Sequence, residues 1–253
     1  MVTLSLDQQN LYGNIVSNHT VQLFNAPNLV ATFNQSPPEQ IASGVLIATG
    51  RNYYLVTCKH VFNDFQSQNI VVFTKDGRYI NLPEEVKLLS GDADSIDLAI
   101  AEIEASKALE LMTRYIFLPH HNLEFRQFEV DDQTCFIFGF INKQTKRKGK
   151  YISTNAFGFW TGFKKINDVV KMGFNYNNNI LITYSRRHQG FIDSKSVNMG
   201  PSDLRGLSGG GIWYFRYLDG KYFFTLVGIM IEHRRTNSLI IGSQIRLLSD
   251  WIK

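Results

Sequence analysis

Cysteine is scarce in this sequence: two in 253 residues, Cys58 and Cys135, far apart in the chain. Two thiols cannot staple a small secreted scaffold, and without a Cys-x-x-Cys pair they offer no zinc ribbon or redox motif. Free thiols in a reducing compartment are the expectation. Long apolar runs are missing too. No stretch approaches 18 consecutive apolar residues, which excludes a helical membrane span. The start, MVTLSLDQQNLYGNIVSNH, lacks the basic end and apolar run of a secretory signal, so a cytoplasmic location is expected. Charge is modest in either sign, 26 Lys and Arg against 22 Asp and Glu, and a net +4 does not by itself argue for nucleic acid. No repeat period is visible, and the one biased tract is NYNNN at 175 to 179. What remains is an ordinary soluble composition, 44% hydrophobic, with enough apolar material for one large domain or two packed halves.

Most of the chain has strand character. SGVLIATG and YYLVTCKHVF are short apolar runs separated by a turn at 50 to 52. NIVVFTKDGRYINL reads as a hairpin turning at Asp76-Gly77. EEVKLLS and IDLAIAEIE follow, giving about six strands before residue 106. Residues 107 to 128 differ, with helical potential first, then Pro119 and a polar remainder. A second series runs through QTCFIFGFI, YISTNAFGFWTGF, NILITYSRR, GGGIWYFR, YFFTLVGIMIEH and LIIGSQI. The spacing of Leu247, Leu248 and Trp251 suggests a short terminal helix. The expected architecture is all-β: two six-stranded antiparallel β-barrels, with a single larger sandwich as the alternative. The expected boundaries are an N-terminal extension at 1–25, a first barrel at 26–106, a connector at 107–128, and a second barrel with the C-terminal helix at 129–253.

RGLSGGGIW, residues 205 to 213, sets one serine among four glycines ahead of an apolar strand. Glycine loses more backbone freedom on folding than any other residue, so such a cluster marks a tight turn or a close approach. Taken alone, the stretch fits a plain turn as well as a nucleophilic serine with free N–H groups beside it. A serine nucleophile needs a base to take its proton, an acid to orient the base, and donors for the developing oxyanion. Of the six histidines, His60 stands where an apolar strand gives way to a turn. Asp92, Asp94 and Asp97 are the nearby acids. Asp97 directly precedes the apolar strand LAIAEI, where an ionised carboxylate is costly unless hydrogen-bonded. Asp94 reads as a turn cap.

Three stretches in the order His, Asp, Ser, namely ASGVLIATGRNYYLVTCKHVF, SIDLAIAEI and RGLSGGGIW, resemble the trypsin/chymotrypsin superfamily of serine proteases, and in particular its bacterial HtrA-like and trypsin-like branches. The resemblance covers roughly residues 41 to 253 and implies the chymotrypsin-like pair of barrels with a short C-terminal helix. It implies His60 as general base, Asp97 as its orienting acid and Ser208 as nucleophile. The N–H groups of Gly206 and Ser208 would form the oxyanion hole. No metal or organic cofactor is implied.

The sequence departs from many secreted members. Leu207 stands where they carry an Asp that pairs with a freshly cut N-terminus, so activation through that ion pair is not expected, and control falls to loop ordering, oligomerisation or an activating partner. Counting back from Ser208 puts Ser202 at the base of the specificity pocket, with Asp203 beside it. A Ser base favours apolar or aromatic substrate side chains; a one-residue shift to Asp203 favours Lys or Arg. Ile231, Glu232 and His233 would line the substrate cleft. The expected function is that of an intracellular serine endopeptidase acting on a protein or peptide substrate. The alternatives are a catalytically silent protease-fold module, or a nucleic-acid contact through the basic run at 143 to 150, whose plainer reading is a solvated loop. HHNLE at 120 to 124 reads as connector rather than a metal site.

Overall fold

The computed structural model describes residues 6–26, 38–65, 69–74, 76, 78–83, 85–89, 96–128, 134–142, 146–148, 151–153, 156–185, 190–192, 195–197, 200–201, 203–219 and 221–252. The first sheet contains β1 (Thr20–Asn25), β2 (Glu39–Thr49), β3 (Asn52–Thr57), β4 (Ile70–Phe73), β5 (Tyr79–Asn81), β6 (Val86–Leu89), β7 (Leu98–Ile103) and the two-residue β8 (Leu118–Pro119). Its order is β5-β4-β1-β2-β3-β7-β6, with β8 parallel to β2 and every other pairing antiparallel.

After this come β9 (Thr134–Phe140), β10 (Lys146–Lys148), β11 (Tyr151–Ser153), β12 (Ala156–Gly162), β13 (Asn179–Thr183), β14 (Gly190–Ile192), β15 (Lys195–Val197), β16 (Gly211–Leu218), β17 (Lys221–Arg234) and β18 (Leu239–Gln244). The second sheet runs β13-β18-β17-β16-β9-β12-β14-β15, and among the described residues β10 pairs only with β11. Among the described residues each sheet thus has eight strands where six were expected: the first gains β1 and the two-residue β8, the second gains the three-residue β14 and β15.

Residues 20–25 fall inside the first sheet, between β4 and β2, rather than in an N-terminal extension. Thr20 to Phe24 are all buried, because this strand is covered on both faces. Ahead of it, helix α1 (Leu6–Ser17) leans on the second sheet, with Tyr12 4.5 Å from the ring of Phe215 and 5.8 Å from Trp160. The N-terminal segment therefore laces the two sheets together. The connector region contains α3 (Ala105–Leu111) and a 3-10 turn at His120–Asn122. The C-terminal helix is a single 3-10 turn, Ile245–Leu248, that buries Ile245 and Leu248. One apolar cluster continues across both sheets, from Val21, Leu46 and Val56 to Phe136, Trp213, Leu226 and Ile229. A second lies within the second sheet and takes in Leu207.

Candidate active site

The site lies where the two sheets meet. β3 ends at Thr57, Cys58 is extended, and α2 (Lys59–Asp64) begins. A helix leaves its first N–H groups without partners, and the His60 N–H finds one in Asp97 Oδ1 at 2.8 Å. The antiparallel register that pairs Thr57 with Ala99 carries Asp97, at the foot of β7, to the level of that first turn. The other carboxylate oxygen, Oδ2, lies 2.5 Å from His60 Nδ1. One carboxylate therefore grips both the backbone and the ring of His60, and Asp97 Oδ2 fixes the Nδ1–H tautomer, with Nε2 left as a base. The imidazole remains 41% exposed. Burial pulls its pKa down, but the hydrogen bond and charge of Asp97, aided by Asp64, outweigh that and raise it above the ordinary value.

Ser208 arrives from the second sheet. Its carbonyl accepts from Ser43 N–H on β2 at 2.8 Å, and Gly209 N–H donates to Met230 O on β17 at 2.8 Å. Cys58 Sγ donates to the same Met230 carbonyl at 3.1 Å. Gly209, next to Ser208, and Cys58, two residues before His60, thus share one acceptor. The Ser208 hydroxyl itself points to Ile231 O at 3.4 Å, and among the described residues no hydrogen bond joins it to His60. Uncomplexed active sites often show such loose geometry, tightening only around substrate.

Gly206 has φ +91°, and a Cβ there would sit 2.8 Å from Asn142 N and 3.0 Å from Phe140 O. The Arg205 carbonyl accepts from Asn142 N–H at 2.9 Å. In a trans peptide the N–H points the opposite way, so Gly206 N–H faces away from Asn142. Among the described residues neither Gly206 N–H nor Ser208 N–H has a hydrogen-bond acceptor. Ser43, to which the sequence reading assigned no role, holds this loop: Ser43 Oγ donates to Gly206 O at 2.8 Å and accepts from Phe140 N–H at 2.9 Å. Its own carbonyl accepts from Thr57 Oγ1 at 2.7 Å. Leu207, fully buried, pins the loop's apolar side.

The residues assigned to the substrate cleft lie on and beside β17. Pairing of β17 with β16 ends at Gly211 with Ile229, and Ile231 is the bulge in the pairing with β18. Beyond it Glu232, His233 and Arg234 keep β18 on one side and, among the described residues, no strand on the other. The His233 ring meets Tyr184 edge-on at 5.0 Å. Its pKa is lowered by burial and the nearby Arg235, against the pull of Asp203. Ser202 lies outside the described residues. Asp203 is buried, and its carboxylate is gripped by Arg205 at 2.9 Å and by Arg235 at 3.1 Å. It therefore offers no bare charge to a substrate Lys or Arg; the sequence reading has EHRR at 232 to 235 as a cleft rim or an exposed turn and pairs neither arginine with Asp203. The basic run at 143 to 150 is described only as the backbone of β10, and its remainder lies outside the described residues.

Donor atoms of Cys58, His60 and Asp97 lie within 4.8 Å of one another, a grouping that could hold a metal ion and that the sequence reading did not foresee. Burial, then the Asp97 charge, pushes the Cys58 thiol well up, which keeps it protonated and bonded to Met230 O. The chemistry of the set is thus a thiol, an imidazole and a carboxylate already engaged with protein groups rather than a preformed cage.

Two curled antiparallel sheets with this order and a His–Asp pair at their junction define the chymotrypsin-like fold. A solved relative in that fold is the scabies mite inactivated protease paralogue S-I1, similar over 94% of this chain and 93% of its own, with a TM-score of 0.54 at 14% identity. No protein-family model matches the chain, and no curated protein matches it. No helix among the described residues is long and apolar enough to cross a membrane.

Proposed function

We propose that this protein is a serine endopeptidase that cleaves peptide bonds through an acyl-enzyme. The observations that carry the reading are the unengaged N–H groups at Gly206 and Ser208 and an imidazole whose Nδ1 is tied to Asp97, on two segments that share the Met230 carbonyl as acceptor. Substrate would add to the open edge of β17 as an extra antiparallel strand. The Ser208 hydroxyl turns from Ile231 O toward His60 Nε2, gives up its proton there, and Oγ bonds to the substrate carbonyl carbon. The oxyanion so formed takes hydrogen bonds from Gly206 and Ser208 N–H. As the C–N bond breaks, the leaving amine takes the proton from His60. Water then repeats the sequence on the ester and frees Ser208. Asp97 stays ionised and stabilises the imidazolium. The buried free thiols Cys58 and Cys135 suit a reducing compartment.

The direct test is labelling by a fluorophosphonate probe. Wild-type protein is expected to label, and Ser208→Ala and His60→Ala are expected not to. A second reading, a silent peptide-binding module, draws on the Ser208–Ile231 hydrogen bond and on a fold relative named as inactivated. Absence of labelling together with peptide binding that survives Ser208→Ala would favour it.

A further inference from the structure

The peptidase reading leaves the substrate class open, and the two arginines on Asp203 speak to it. Arg205 immediately precedes Gly206, whose N–H is an oxyanion donor in that reading. Arg235 follows the open edge of β17 along which substrate residues preceding the scissile bond would lie. Both guanidiniums are held by one carboxylate: Arg205 Nε lies 3.0 Å and Nη2 2.9 Å from Asp203 Oδ2, and Arg235 Nη2 lies 3.1 Å from Oδ1. The anchor is buried, with 6% of the Asp203 side chain exposed, while Arg205 is 73% and Arg235 63% exposed. One negative charge therefore orients two positive ones, a surplus of one among the described charges of the fork. The adjacent Glu232 does not cancel it, because it is paired with Arg234 at 3.0 Å. Guanidinium donors in a fixed fork suit a carboxylate. Holding them in advance reduces the ordering cost of binding.

We infer that the Arg205–Arg235 fork selects substrates carrying an Asp or Glu side chain within the three residues that precede the scissile bond. This rests on the peptidase reading. It replaces the apolar, aromatic or basic preference that the pocket residues suggested in the sequence, because the Asp203 charge that a basic residue would seek is already spent on the protein's own arginines.

The test separates the two ideas. A proteome-derived peptide library is cut with wild-type protein, and the fluorophosphonate probe labels a parallel sample. Matched peptides differing only by Glu against Gln at the enriched position are then compared. Wild type should cut the Glu peptide at least ten times faster in kcat/KM. In the Arg205→Gln, Arg235→Gln double variant that ratio should fall toward one, and the ratio is internal to each protein, so partial loss of folding does not move it. Labelled wild-type protein that cuts peptides without acidic enrichment, or cuts none, overturns the inference and leaves the reactive serine standing. Neither labelling nor cleavage removes both.

Discussion

Gly209 offers the sharpest quantitative test of how the two sheets are joined. Its φ is +85°, and a Cβ built there would lie 1.9 Å from Ser43 O and 2.2 Å from Thr57 Oγ1. Both atoms belong to the first sheet, in β2 and β3, and the Ser43 carbonyl already accepts the Thr57 hydroxyl. Gly50, in the turn between those strands, supplies the control: φ +58° with nothing within 4 Å of its missing Cβ. Alanine at either position carries the left-handed backbone penalty of about 1–2 kcal/mol and the same stiffening of the unfolded chain. Those contributions cancel in the difference between the two variants, which leaves the overlap. Forcing extra atoms into a packed site costs roughly 1–3 kcal/mol. Backbone on the receiving side places Gly209→Ala at the upper end, so it should be about 2–3 kcal/mol less stable than Gly50→Ala. At about 2–4 °C per kcal/mol for a chain of this size, its melting midpoint should lie roughly 4–12 °C lower. Urea denaturation of both variants beside wild type reads the difference directly. Equal stabilities within about 0.5 kcal/mol would refute the close approach of Gly209 to β2, and with it the seam that seats Ser208.

Three further outcomes follow from the site. Because the His60 pKa is raised, mainly through Asp97 working against burial, and the base must be neutral to act, kcat/KM should climb with pH through a midpoint above about 6.5. Asp97→Asn should move that midpoint down and cut the rate by about 10⁴-fold. Ser43→Ala leaves Phe140 N–H and Gly206 O without their partner; it should cost about 1–3 kcal/mol in urea denaturation and slow fluorophosphonate labelling at least tenfold, with KM for a peptide little changed. His19, buried with Nδ1 2.7 Å from Ile116 O and stacked on Phe224, has its pKa lowered by burial against the pull of that carbonyl. The unfolded chain then holds the proton more tightly, so the His19 contribution to stability is present in full above about pH 6.5 and is lost as pH falls below it. His19→Gln should flatten that acid-side loss in thermal melts at pH 5 and 7.

The parts legible in the sequence were those written by local pattern. Alternation in LAIAEI and the apolar runs on either side of Gly50 foretold their strands, and His60, Asp97 and the glycine-rich turn declared themselves by the chemistry they would need. β1 was harder to see: TVQLF is short, follows a helical segment and carries a polar Gln22, and only its burial between β2 and β4 makes it a strand. Ser43 looked like the start of an apolar strand. Its role comes from hydrogen bonds to residues about a hundred or more positions away, Phe140 and Gly206. The Arg205–Asp203–Arg235 fork was hidden for the same reason. Arg235 is remote from Asp203 in sequence, and the salt bridge exists only once β17 has delivered it. The alternative that put Asp203 at the pocket base as a bare charge ignored what the fold would supply.

The burial of Leu207 has a consequence for alkaline conditions. An ammonium latch lets go once its amine loses its proton, at a pH above the free amine's value of about 8 because its carboxylate partner favours the charged form. A leucine sealed at 0% exposure has no proton to lose. The donors beside Ser208 are set by apolar packing and by a hydroxyl that does not ionise in water, so their arrangement should persist at alkaline pH where a salt-bridged ammonium, even with its pKa raised by its carboxylate, finally lets go.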